Sequence, residues 1–221
     1  MTLVLVITCI LTPYNIAFYS GDEPPGLAMT ILCIDCLFMI DIIVIFNTVF
    51  YNEEMETITS RKQIACNYLS GWFTVDLLAI VPFDIILSAG TDFNQMVKVA
   101  RVGRLYKLVK LTRLLRILKI MKDKSRLMKY LNDLLKIGLG FERLFFFLMI
   151  FLMLIHIVTC LWIVIATLYD DDLKSTWMSS FEKTSIAELS KSEVYLMSTY
   201  WTISTITTVG YGDISGTNPL E

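Results

Sequence analysis

Long apolar runs separated by short polar breaks organise this chain. An α-helix needs about 20 mostly apolar residues to cross a hydrocarbon layer about 30 Å thick. The pattern predicts five such spans. The first covers residues 1–19 and ends at a polar, proline-containing turn over 20–26. The second runs over 27–51 and is broken only by Asp35 and Asp41, with a polar loop holding Glu53, Glu54, Glu56, Arg61 and Lys62 behind it. The third covers 67–87 and contains Asp76. The loop 88–95 leads into a basic segment over 96–122, and the fifth span covers 144–169. An acidic loop opening with Asp170, Asp171 and Asp172 then precedes a short amphipathic helix over 192–206 and a glycine-containing turn.

Composition supports a membrane setting: 55% of the 221 residues are hydrophobic, more than a water-soluble domain of this size needs. The net charge of −2 carries little, because nine of the nineteen Lys and Arg residues fall between Lys98 and Lys122. Cys9, Cys33, Cys36 and Cys160 lie inside apolar runs and Cys66 just before one, which reads as buried inert thiols rather than a disulfide or zinc scaffold. The first run has no basic flank or small-residue cleavage site of a secretory signal. Loop charge sets orientation. Arg61, Lys62, Lys124, Arg126, Lys129 and Lys136 lie on one side, and the loops 20–26 and 88–95 have no Lys or Arg. The expected arrangement is a multi-pass membrane protein with a cytoplasmic N-terminus.

Within the basic segment, Lys98, Arg101, Arg104, Lys107, Lys110, Arg113, Arg116, Lys119 and Lys122 occupy every third position. On an α-helix this row winds as a spiral, since three residues turn about 300°; in a 3₁₀ stretch it forms a straight stripe. A surface helix would gather its charge at period 3.6, and a nucleic-acid face has no reason to sit between apolar spans. Each cation costs about 2.5–3.5 kcal/mol near the bilayer centre. Such a row needs counter-charges, and it makes sense where the charges move in an electric field. Asp35, Asp41 and Asp76 supply the counter-charges. Phe38, one turn from Asp41, fits an apolar plug between outer and inner water. One charge crossing the field is worth about 2.3 kcal/mol per 100 mV, so a few per subunit suffice to bias two conformers.

The turn Thr207-Thr208-Val209-Gly210-Tyr211-Gly212-Asp213 follows the short helix. Its glycines permit backbone conformations that turn successive carbonyls the same way. Four copies around an axis would make carbonyl rings that replace the water shell of a potassium ion. The expected ligands are the carbonyls of Thr208, Val209, Gly210 and Tyr211, with the Thr208 hydroxyl below. No nucleophile, metal cluster or phosphate loop suggests an enzyme. His156 and Cys160 share a helix face, but lack further ligands and read as packing.

With these features together, the chain resembles the six-transmembrane voltage-gated cation channels. Within them it is most similar to the cyclic-nucleotide-binding-domain branch: the ether-à-go-go, plant inward-rectifier, pacemaker and cyclic-nucleotide-gated channels. Phe38-Met39-Ile40-Asp41-Ile42, Gly71-Trp72-Phe73-Thr74-Val75-Asp76, His156 through Trp162, and Tyr200-Trp201 carry the resemblance, as does the extra acid Asp35. It implies an all-α membrane protein: a four-helix voltage-sensor bundle, then an outer pore helix, a re-entrant pore helix and a selectivity filter. The expected division is 1–122 for the sensor, 123–143 for a linker and 144–221 for the pore. The expected assembly is a homo- or hetero-tetramer of like subunits in a lipid bilayer, conducting K+ and binding no nucleic acid. The filter, Thr208 through Gly212, holds K+ ions, and Trp201 with Asp213 is expected to brace it by a hydrogen bond. The full Thr-Val-Gly-Tyr-Gly-Asp resembles plant-type or microbial potassium channels; a pacemaker-like mixed-cation channel and a non-conducting regulatory subunit are the alternatives. The last pore-lining helix, and the C-terminal domain that could take a cyclic nucleotide, lie beyond Glu221 in the family, so residues 1–221 alone are expected not to conduct.

Overall fold

The computed structural model describes residues 2–19, 24–51, 57–80, 111–118, 139–169, 175–180, 190–219 and 221. Helix α1 is Thr2–Phe18 and α2 is Pro25–Phe46. Strands β1 (Phe50–Tyr51) and β2 (Thr57–Ile58) pair antiparallel, with Phe50 opposite Ile58. Helices α3 (Arg61–Ser70) and α4 (Phe73–Ile80) follow, then a 3₁₀ turn over Leu111–Leu115. Helix α5 is Leu139–Tyr169, a second 3₁₀ turn covers Trp177–Ser180, and α6 is Lys191–Ile206. The chain is thus mostly helical, as the hydrophobic runs predict.

Three boundaries differ from the sequence reading: the fifth span starts at Leu139 rather than at residue 144, and the second and third spans change more. The second span ends at Phe46 rather than at residue 51. There the Asn47 amide donates to the Ile43 carbonyl at 2.9 Å and the Thr48 hydroxyl to the Val44 carbonyl at 2.7 Å. These side chains satisfy the carbonyls that a helix end leaves over, and Phe50 and Tyr51 are released into the hairpin. The third span is not one helix over 67–87. Its first part belongs to α3, which starts earlier at Arg61, and the chain breaks at Gly71-Trp72 before α4. Gly71 sits at φ −112°, ψ −105°, and a Cβ there would stand 3.2 Å from the Asn67 carbonyl oxygen, tighter than ordinary van der Waals contact.

Helices α2 and the Arg143–Tyr169 part of α5 are long and apolar enough to cross a membrane, and α1 contributes a shorter apolar helix. Their burial is the reverse of a soluble core. On α2 only Ile34, Phe38 and Ile42 are buried, a stripe at every fourth residue, while Leu32, Ile40 and Ile43 are exposed. Contiguous exposed apolar surface of this kind marks contact with lipid or protein.

Two cores result. One gathers Leu5, Cys9, Ile34, Phe38, Ile42, Tyr68 and Ile80 from α1 to α4. The other joins Ile16 and Ala17 of α1 to Cys160, Trp162, Ile163, Val164 and Ala166 of α5, with Trp177, Met178 and Ile214. Helix α1 therefore belongs to both cores and ties them together within one chain.

Candidate functional site

Arg116 carries the first site. It lies just past the 3₁₀ turn, where residues i and i+3 eclipse, so Arg113 and Arg116 fall on one straight edge of the segment. Its side chain is 2% exposed, and Nη2 lies 2.6 Å from Oδ1 of Asp35. The guanidinium carbon sits 5.2 Å from the centre of the Phe38 ring. Asp35 and Phe38 are one turn apart on α2, so the aromatic face and the carboxylate hold one cation between them. Of the expected basic row, Arg113 and Arg116 are described; Lys98, Arg101, Arg104, Lys107, Lys110, Lys119 and Lys122 lie outside the described residues.

The other two expected acids lie on α2 and α4. Asp41 is half-buried on α2, one turn past Phe38. Asp76, on α4, is fully buried and accepts a hydrogen bond from the Tyr68 hydroxyl at 2.6 Å. Tyr68 is a residue the sequence reading passed over. Its ring meets Phe46 edge-on at 5.1 Å and Phe73 at 5.6 Å. The nearest sequence signal is its position ahead of the Gly71-Trp72 break, which becomes informative only once the break is seen.

The terminal turn forms the second site. Thr208, Gly210 and Gly212 take φ values of 62°, 56° and 74°, whereas Val209 and Tyr211 between them remain at negative φ. Alternation between mirror-image backbone regions turns successive carbonyls toward the same side, the arrangement a ring of ion ligands needs. Glycine permits this freely, but Thr208 is β-branched, and holding it there costs about 1–2 kcal/mol. The cost is met by anchorage to α6: the Ser204 carbonyl accepts from the amides of both Val209 (2.9 Å) and Gly210 (3.0 Å), and Thr208 donates to Thr205 at 3.0 Å.

Behind this turn, the Tyr200 hydroxyl donates to Asp213 at 2.8 Å, and the Tyr200 and Tyr211 rings lie parallel at 6.2 Å. The residue bonded to Asp213 is therefore Tyr200, one position before the Trp201 that the family resemblance suggested. Trp201 instead stacks on Trp162 of α5, 3.8 Å apart and 4° from parallel. On an α-helix adjacent residues diverge by about 100°, so both cannot face Asp213. The Ser198 hydroxyl donates to the Thr159 carbonyl at 2.9 Å, which fixes α6 on α5 further down.

His156 joins three helices. Nε2 lies 2.9 Å from the Ile10 carbonyl on α1, and Nδ1 lies 2.8 Å from the Tyr195 hydroxyl on α6. A carbonyl only accepts, so Nε2 carries the proton, and in the neutral ring Nδ1 accepts from the tyrosine. Lys191 adds a cation–π contact with Tyr19, 3.6 Å from the ring centre. No group of three or more His, Cys, Asp or Glu side chains poised for a metal occurs among the described residues.

A family model described as ion transport protein matches residues 1–220. The chain belongs to that family. It is 26% identical over 237 residues to the voltage-gated inwardly rectifying potassium channel KCNH2 of Sus scrofa, covering 96% of this chain and 19% of the relative. It is 30% identical over 224 residues to potassium channel AKT2/3 of Arabidopsis thaliana, covering 100% of this chain and 26% of the relative. With KCNH7 of Mus musculus it shares 28% over 240 residues, 96% of this chain and 18% of the relative. The chain thus spans about a fifth to a quarter of the length of the relatives it matches. These animal and plant channels bear out the resemblance read from the motifs, and the family is one of transport proteins, not enzymes.

Proposed function

We propose that this chain is the sensor and outer-pore part of a voltage-gated, potassium-selective channel subunit that works as a tetramer. The observation that carries the reading is Arg116, buried against Asp35 with its guanidinium over Phe38. A cation so placed in an apolar, bilayer-length bundle is costly without a counter-charge and marks a functional position, here one that a field can move. Residues 1–122 form the sensor, 123–143 the linker and 144–221 the pore portion.

With the N-terminus cytoplasmic, the turn before Pro25 lies outside, and Asp35 stands on the outer side of Phe38. Arg116 has then already passed the plug, so this conformation corresponds to the depolarised position of the basic segment. On repolarisation the row moves inward past Phe38, exchanging Asp35 for Asp41 and Asp76. If about three charges cross in each of four subunits, the bias is about 28 kcal/mol per 100 mV. In the pore, four copies of Thr208 through Gly212 line an axis along which potassium passes from one carbonyl ring to the next. Val209 and Tyr211 are exposed in the single chain, as residues awaiting neighbouring copies would be.

The test expresses the full-length gene in a voltage-clamped cell and measures the reversal potential under potassium–sodium gradients. The expected result is reversal near the potassium equilibrium value, with steep voltage dependence weakened by neutralising Arg113 and Arg116. Reversal near zero would assign the protein to mixed-cation conduction. Silence combined with suppression of a co-expressed relative would assign it to a regulatory subunit.

A further inference from the structure

The acid Asp76 has a fixed partner that the basic row does not supply. Tyr68 and Asp76 are eight residues apart, which on an unbroken α-helix is about 12 Å along the axis. The break at Gly71-Trp72 folds α3 against α4 and brings the Tyr68 hydroxyl to 2.6 Å from Oδ2 of Asp76. Both groups are buried, Tyr68 at 7% exposure and Asp76 at 0%. The Phe46 and Phe73 rings, set edge-on to Tyr68, hold the phenol in place. The Phe38 that meets Arg116 packs in the same cluster as Tyr68.

We infer that Tyr68 is a positioning residue of the voltage sensor, donating a permanent hydrogen bond that holds Asp76 oriented while successive basic residues pass. The inference rests on the sensor reading proposed above and deepens it. Successive cations of the row are separated by about 4.5 Å on an α-helix or about 6 Å on a 3₁₀ helix. Each step of the segment therefore includes an interval in which one cation has left Asp76 and the next has not arrived. A buried carboxylate without compensation is costly in that interval. A hydroxyl that does not move with the row keeps one charge-assisted bond throughout. A carboxylate has about four lone-pair positions, so the tyrosine and a passing cation are accepted together.

The test is Tyr68→Phe in the full-length channel, with gating charge movement recorded under voltage clamp while permeation is blocked. Phenylalanine keeps the ring and its contacts with Phe46 and Phe73 and removes the hydroxyl alone. The expected result is that charge moves about tenfold more slowly in both directions, the loss of one hydrogen bond to a charged group, while total charge is unchanged. In an Asp76→Asn background, Tyr68→Phe is expected to add less than half of that slowing, which a purely structural role for the ring would not produce. Rates within twofold of wild type, or full slowing in the Asp76→Asn background, overturn the inference and leave the sensor reading standing. A wild-type channel that moves no charge overturns both.

Discussion

Arg116 and Asp35 meet at 2.6 Å across 81 residues of sequence, in a place where the arginine is almost wholly shielded from water. Removing one partner of a buried ion pair costs about 3–5 kcal/mol, because the other charge stays behind. Asp35→Asn should therefore destabilise the conformation described above. With about three charges crossing per sensor, at about 2.3 kcal/mol per charge per 100 mV, the charge–voltage midpoint should move by about 40–70 mV. The shift should be toward more positive voltages, because the lost pair belongs to the depolarised position. A midpoint unchanged in gating-current recordings would remove Asp35 from the sensor.

The brace between Tyr200 and Asp213 predicts an effect in the filter. A hydrogen bond to a charged group contributes about 1.5–3 kcal/mol when shielded, and this one is exposed to water, which brings it to about 1 kcal/mol, a factor of about five. Tyr200→Phe and Asp213→Asn should each speed the decline of current during a prolonged opening by about fivefold, and together by little more than either alone. The measurement is the decay constant under sustained voltage, repeated at raised external potassium, which should slow it.

The segment after the filter is clasped to the loop before α6. The Trp177 amide donates to both carboxylate oxygens of Glu221, at 3.2 and 3.0 Å, and the Thr217 amide donates to one of them at 3.0 Å. The Asn218 amide and the Thr217 hydroxyl both reach the Ser175 carbonyl at 3.1 Å. Trp177 stacks on Trp162, which stacks on Trp201 of α6. Glu221→Ala should raise hydrogen exchange at the Trp177 amide about tenfold, as expected when a bond to a charged acceptor is lost. Glu221→Gln, which keeps one acceptor oxygen, should raise it less. Exchange unchanged by either substitution would show that the clasp carries no stability.

Acid should act on the start of α6. There Ser190 and Glu193 form a capping box, with the Ser190 amide donating to Glu193 at 2.8 Å and the Glu193 amide to Ser190 Oγ at 3.3 Å. The bonds from the Ser190 amide and hydroxyl hold the Glu193 carboxyl below its ordinary range. A depressed folded-state value contributes stability above the unfolded pKa, and that stability is lost as pH falls through the folded one. The thermal stability of the purified channel should fall on acidification below about pH 4, and Glu193→Gln should flatten that dependence. Identical acid profiles for the two proteins would count against the cap.

Much of this was legible along the chain. The apolar runs placed α1, α2 and α5 because crossing a bilayer sets a length that composition alone can meet, and α6 showed as a short amphipathic helix ahead of the glycine turn. The triplet spacing of the basic row is periodic, hence visible without a fold. The filter turn was legible because Gly210 and Gly212 permit backbone conformations that few other residues adopt, although the left-handed Thr208 was not anticipated. The helix break at Gly71 was missed because its surroundings remain apolar and hydropathy does not register a change of direction.

What the sequence by itself determined, then, is the inventory: helices of membrane length, a row of cations, three acids set within apolar spans and a turn that can line an ion path. These are local properties, set by side-chain chemistry and the periodicity of a single helix. Only the tertiary structure decided the pairings: Arg116 with Asp35, Tyr68 with Asp76, Tyr200 with Asp213, and His156 between Ile10 and Tyr195. A hydrogen bond or ion pair depends on distances held to within a few tenths of an ångström between groups separated in the chain. Those distances follow from how the helices pack, which no single segment contains.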